Sequence, residues 1–142
     1  MNTLLCTVPD GTLKFQKNRV PLIPRRKLDK MFSWQGKDNE HPTFPTGVMR
    51  VLAAMQENGH DGVIYDLNNL RHPDEKIIEN LKKIKPDVVG LSGPLSHCYP
   101  NLKHLTKVIR NLFPNCWIVV GGHISGSSHI LLNKTETDIV VV

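Results

Sequence analysis

Apolar residues along the chain alternate between short continuous runs and runs spaced at three and four residues. Thr3-Leu-Leu-Cys-Thr-Val8 is a continuous run ended by Pro9-Asp10-Gly11, which predicts a strand and a turn. Residues 10–43 carry prolines at 21, 24 and 42, many charges and little periodicity, so they read as a long insertion after the first strand. Pro45 then opens a helix with Val48, Val51, Leu52 and Met55 on one face, and Gly59 after Asn58 stops it. Val63-Ile-Tyr65 is a second strand. Pro73-Asp74-Glu75 starts a helix with acidic residues at its positive end. Ile77, Ile78, Leu81 and Ile84 form its buried side, Lys82, Lys83 and Lys85 suit its negative end, and Pro86 stops it.

Asp87-Val-Val-Gly-Leu-Ser92 is the third strand, apolar enough to be covered on both faces. Leu102, Leu105, Ile109 and Leu112 mark a helix closed by Pro114, and Trp117-Ile-Val-Val120 is a strand running into Gly121-Gly122. A helical stretch around Ser127–Leu132 precedes a fifth strand, Asp138–Val142. Strands alternating with helices in this way predict right-handed crossovers and an α/β fold, a doubly wound five-stranded parallel sheet of flavodoxin-like order. Residues 1–142 are expected to form a single domain. A chain that stops on a strand is expected to be the N-terminal part of a longer protein.

Composition changes this picture little. Of 142 residues, 39% are apolar and 22% charged, as in ordinary globular domains. No apolar run approaches the ~20 residues of a membrane span, and Met1–Val8 lacks the features of a secretory signal. Cys6, Cys98 and Cys116 form no CxxC pair and no even framework, so a reduced, cytoplasmic setting is expected. The Asn133-Lys-Thr135 sequon carries no weight without a secretion signal. Of the net charge of +5, most falls in residues 10–40, where eight Lys/Arg face four Asp/Glu. No nucleic-acid-binding signature accompanies that charge, and no nucleic-acid partner is expected.

In an open parallel sheet, ligands bind beyond the carboxyl ends of the strands. Two loops there are distinctive: Ser92-Gly-Pro-Leu-Ser-His-Cys-Tyr-Pro100, and Gly121-Gly-His-Ile-Ser-Gly-Ser-Ser128. Both are small and polar, and the second permits close approach of a bulky ligand. Neither matches a Walker A or GxGxxG pattern. No nucleophile–base pair and no metal-ligand spacing stands out, so no catalytic residue and no protein metal ligand is expected.

Five stretches in order carry a resemblance. They are Pro45-Thr-Gly-Val-Met-Arg-Val-Leu-Ala-Ala-Met-Gln-Glu-Asn-Gly-His60, Val63-Ile-Tyr-Asp-Leu67, Lys85-Pro-Asp-Val-Val-Gly-Leu-Ser92, Val119-Val-Gly-Gly-His123 and Asp138-Ile-Val-Val-Val142. Together they resemble the N-terminal cobalamin (vitamin B12)-binding domains of radical S-adenosylmethionine proteins, which have a Rossmann-like fold. The resemblance implies that Ser92, Gly93 and Leu95 face the nucleotide tail of cobalamin. It implies that Gly121 and Gly122 leave room for that tail and the corrin edge, with His123 as a polar neighbour. The loop from Pro9 to Gly47 would approach one corrin face.

The resemblance also implies a partner, a radical S-adenosylmethionine domain in the same chain. That part would hold the S-adenosylmethionine and the [4Fe-4S] cluster, since no Cys-x3-Cys-x2-Cys motif occurs here. Cobalamin domains whose histidine ligates cobalt use Asp-x-His-x-x-Gly. Asp38-Asn-Glu-His41 has the wrong spacing and lacks the glycine, so the cofactor is expected base-off with no protein histidine on cobalt. Of the loop histidines, His41 and His97 are read as surface residues, and Cys98 as an unreactive thiol. Pro94 is an insertion relative to a plain Ser-x-Leu, and Gly-Gly-His lacks the proline often found before the histidine. Those departures leave a second reading open, a cofactor-free domain of the same fold that docks a partner or recruits substrate. A receiver or flavodoxin module has poorer support, from Asp10 alone and from Pro9-Asp-Gly-Thr12 respectively.

Overall fold

The computed structural model describes residues 1–9, 45–70, 72–93 and 98–142. The expected insertion at 10–43, with His41, lies outside the described residues, as do Leu95 and His97. Met1–Gly11 and Pro45–Val142 form one compact unit. Its elements run β1 (Thr3–Thr7), α1 (Thr46–Glu57), β2 (Val63–Asp66), α2 (Leu67–Leu70), α3 (Asp74–Ile84), β3 (Val88–Ser92) and α4 (Tyr99–Leu112). They continue with β4 (Trp117–Gly121), a 3-10 turn (His123–Ser127), α5 (Ser128–Lys134) and β5 (Ile139–Val140).

The sheet is five-stranded with order β2-β1-β3-β4-β5, and every described pairing is parallel. This is the flavodoxin-like order expected from the sequence. The chain moves outward from β1 to β2, then crosses back to β3, so the switch point lies between β1 and β3.

Strand alternation sorts side chains onto two faces. Leu4, Cys6 and Val8 of the first segment, Val89 and Leu91 of β3, and Ile118 and Val120 of β4 share one face and a single core cluster. Leu67 of α2, Leu81 of α3, Leu102, Leu105 and Ile109 of α4, and Leu131 of α5 join that cluster, so four helices contribute to the core on this face. The buried Leu5 and Val48 of α1 lie outside it, which places α1 on the opposite face. Gly90 pairs with Leu5 on that opposite face, and a Cβ there would meet Leu5 Cδ2 at 2.7 Å, which favours glycine.

Helix ends follow their sequence signals. Gly59 (φ +77°) closes α1, with Gly59 N–H donating to Gln56 O (3.0 Å) and His60 N–H to Met55 O (2.9 Å), the paired bonds of a Schellman motif. The C-cap of α3 is Lys85 in the left-handed region (φ 48°), and the Asn2 amide donates to Ile84 O and Lys85 O (3.5 and 3.3 Å). At the sheet's far side Arg110 of α4 donates to Pro114 O and Cys116 O (2.8 and 2.9 Å) and to both Asp138 carboxylate oxygens (2.7 Å each). Asp138 in turn accepts from Ile118 N–H at 2.7 Å, so one guanidinium fastens α4 to β4 and to the approach to β5.

Four details differ from the sequence expectation. Val51 is 51% exposed, because α1 buries only Val48 fully and rests on the sheet through a narrow stripe. The short helix α2 follows β2 directly, where a loop was expected. The helical stretch after β4 begins as a 3-10 turn at His123, four residues earlier than expected. β5 is two residues long, although Val141 N–H still donates to Val120 O at 2.8 Å. Among the described residues no helix is long and apolar enough to cross a membrane.

Candidate functional site

The carboxyl rim of the sheet brings together most of the residues singled out in the sequence. Ser92 ends β3 and pairs in register with Thr7 of β1 and with Gly121 of β4. Thr7 pairs in turn with Asp66 of β2. Asp66, Thr7, Ser92 and Gly121 therefore form one row across four strands, about 4.8 Å apart, on the face that carries α1. The row straddles the switch point between β1 and β3.

Gly93 and Gly122 are tied to each other. Gly93 N–H donates to Gly121 O (3.1 Å), and Ile124 N–H donates to Gly93 O (3.2 Å). A Cβ on Gly93 would lie 2.7 Å from Ile124 Cγ2, and Ile124 is buried in the core. Gly122 has φ +87°, and a Cβ there would lie 2.9 Å from Gly93 O. Both positions need glycine for the loops to close on one another, whatever binds beyond them.

Gly121 is different. Its φ is ordinary, and an added Cβ would make only van der Waals contacts with Val141, at 3.9 and 4.0 Å. Gly121 pairs in register with Ser92, so the row carries no side chain at the position next to that serine. The Ser92 hydroxyl is half-buried and makes no hydrogen bond among the described residues. His123 is exposed and begins the 3-10 turn at the same rim. Gly47, the second residue of α1, has nothing within 4 Å of a would-be Cβ. It belongs to a different element from the Ser92–Gly121 row.

Thr7 and Asp66 were not singled out in the sequence. The Thr7 hydroxyl donates to Asp66 Oδ1 (2.6 Å) and accepts from Asn68 N–H (3.0 Å). Asp66 also accepts from Asn69 N–H (3.3 Å) and from the Asn69 side-chain amide (2.5 Å). The available signal was a hydroxyl and a carboxylate at the last positions of two apolar strands, Cys6-Thr7 and Tyr65-Asp66.

The thiols offer no chemistry at the rim. Burial pushes the Cys6 thiol up to about 12, and burial also raises Cys116. All three cysteines are free and buried, and Cys98 donates weakly to Val8 O at 3.9 Å. No group of three or more His, Cys, Asp or Glu able to hold a metal ion occurs among the described residues. An open groove lined by Lys82, Lys85, Phe113 and Cys116 lies at the opposite, amino edge of the sheet, away from the glycine loops.

A free hydroxyl beside an unfilled glycine strip, set at the switch point, suits a flat heterocycle with a hydrogen-bonding atom at its edge. The sequence model of the B12 binding domain matches residues 39–142. The chain belongs to the B12-binding domain family. As a B12-binding domain it is also similar to parts of two longer methyl-transferring proteins. It is 32% identical over 79 residues to the hopanoid C-3 methylase of Methylococcus capsulatus (strain Bath), covering 56% of this chain and 15% of that protein. It is 27% identical over 97 residues to the cytidylyl-2-hydroxyethylphosphonate methyltransferase of Streptomyces wedmorensis, covering 56% of this chain and 18% of that protein. This B12-binding domain thus spans less than a fifth of each of these curated relatives.

The residues present fit cobalamin. The Ser92 hydroxyl, without a partner among the described residues, and the uncrowded Gly121 position are compatible with a flat base that carries a hydrogen-bond acceptor.

Proposed function

We propose that this B12-binding domain is a carrier module that holds cobalamin base-off, with the nucleotide tail along the Ser92–Gly121 strip and no protein histidine on cobalt. The observation that carries this reading is the unpartnered Ser92 hydroxyl beside the open Gly121 position at the β1/β3 switch point. In this reading Ser92 donates to the base nitrogen, and Gly121 admits the base. Gly93 and Gly122 shape the two loops that frame it, Leu95 and His123 adjoin the cofactor from those loops, and Gly47 lets α1 begin close to it. When bound, cobalamin supplies a cobalt centre that carries a methyl group or takes part in radical chemistry.

The module itself catalyses nothing. It presents the cofactor to a radical S-adenosylmethionine domain in the same polypeptide, which holds the [4Fe-4S] cluster. The names of the two relatives, a methylase and a methyltransferase, support methyl transfer as the reaction the cofactor serves, and three cysteines outside any disulfide fit a cytoplasmic setting. A cofactor-free docking domain is the second reading. It is favoured by the finding that Gly93 and Gly122 are required by the fold alone.

Retention of hydroxocobalamin by the wild type separates the two, and Ser92→Trp tests where the tail lies. Position 92 is half-buried at the end of β3, and the variant is expected to fold and to lose retention of hydroxocobalamin on gel filtration. Wild-type retention unchanged in Ser92→Trp would place the tail elsewhere.

A further inference from the structure

The row Asp66–Thr7–Ser92–Gly121 contains one free hydroxyl and one that is fully directed. Thr7 and Ser92 are neighbours in register on the same face. Neighbouring strands lie about 4.8 Å apart, close enough for in-register hydroxyls to hydrogen bond, yet Ser92 has no such partner among the described residues. The reason lies on the other side of Thr7. Its proton goes to Asp66 Oδ1 at 2.6 Å, and it accepts from Asn68 N–H at 3.0 Å. Both partners belong to the β2 edge, so they hold the Thr7 hydroxyl turned away from β3. Asp66 is itself held by Asn69 through its backbone N–H and side-chain amide, at 3.3 and 2.5 Å.

Resting on the carrier reading above, we infer that Asp66 and Thr7 are positioning residues that keep the Ser92 proton available to the nucleotide tail. A threonine freed from Asp66 can rotate about χ1 and present a lone pair to Ser92. The serine would then spend its proton inside the protein, and an acceptor nitrogen on the ligand would find no donor. Asp66 thereby acts on ligand binding through a hydroxyl that touches no ligand. The same carboxylate also caps α2 through Asn69 N–H, so loss of the cap must be told apart from loss of the free serine.

Methylcobalamin and methylcobinamide make that distinction, because the second has the corrin but lacks the nucleotide. Retention of both is measured by equilibrium dialysis for the wild type, Asp66→Ala and Thr7→Val/Asp66→Ala, with circular dichroism confirming the fold. Asp66→Ala is expected to weaken methylcobalamin by about five- to tenfold, the worth of one hydrogen bond, and to leave methylcobinamide unchanged. Removing the competing hydroxyl as well, in Thr7→Val/Asp66→Ala, is expected to restore methylcobalamin to near the wild-type level. Equal weakening of both ligands in Asp66→Ala, no weakening, or no recovery in the double variant would overturn the inference. A folded wild type that retains neither ligand, or retains both equally, would instead overturn the carrier or tail-pocket reading, and the inference with it.

Discussion

Two adjacent glycines at the end of β4 do different work. Gly122, with φ +87° and 2.9 Å from a would-be Cβ to Gly93 O, closes the fold. Gly121 has an ordinary φ, and a Cβ there would meet only Val141, at 3.9 and 4.0 Å, so the fold does not require glycine, and the proposed carrier role gives its missing side chain a use. Gly122→Ala should therefore lose about 1–3 kcal/mol in urea unfolding, while Gly121→Ala should stay within about 0.5 kcal/mol of wild type and bind cobalamin more weakly. The opposite order would reverse these assignments. The sequence shows Ser92 and Gly121-Gly122 as strand-end residues, but it cannot divide the glycines, because the atoms that decide are Gly93 O and Ile124, on two other segments. Thr7 and Asp66 escaped notice for a similar reason, since their bond spans 59 residues and exists only once β1 and β2 are in register.

Cys6 gives a pH dependence at the same scale. Its thiol is held near 12 by burial, above the ~8.5 of an unfolded thiol. A raised folded value means that the neutral thiol's contribution is complete below about pH 8.5 and is lost as pH rises toward 12. The stability difference between wild type and Cys6→Ala should accordingly narrow from pH 7 to pH 10 in matched urea titrations. A constant difference would show that the thiol is reached by water.

Among the elements, those with long periodic patterns were legible and those set by tertiary contacts were not. α3 and α4 carry their stops in Pro86 and Pro114 and their buried stripes in Leu81 and in Leu102, Leu105 and Ile109, all of which the structure bears out. The helix α2 has four residues and no period to read, and it exists because Asp66 caps it. β5 shrinks to Ile139–Val140 although five apolar-rich residues suggested more, and it pairs only with Val119 and Val120 of the five-residue β4. Lys85 marks where a local preference is overridden. It holds a left-handed conformation that glycine adopts freely, so Lys85→Gly should stabilise the domain by about 0.5–1 kcal/mol. Arg110 is the opposite case, an exposed-looking helix residue whose five bonds join α4 to β4 and Asp138. Arg110→Ala should cost about 2 kcal/mol in chemical unfolding, and Arg110→Lys should recover little of it, because an ammonium cannot fork between Asp138 and the carbonyls.

At the scale of the whole molecule, the alternation of strands and helices was enough to give a parallel sheet, and the observed order then fixes where a ligand can sit. The β2-β1-β3-β4-β5 order opens the rim between β1 and β3, and the Ser92 row crosses that opening. Coverage is uneven, with α2, α3, α4 and α5 on the face of Leu4 and Val89 and α1 on the other, where Trp117, Ile139 and Val141 are 57%, 43% and 58% exposed. Family membership follows from the match to residues 39–142. The central functional claim is that this rim holds cobalamin by its tail. Its most direct test is titration of the purified chain with methylcobalamin, followed by visible absorption and gel filtration. Co-elution with the spectrum of the base-off cofactor is the predicted result. A folded chain that elutes without cofactor, or that retains it with a histidine-ligated spectrum, would contradict the account.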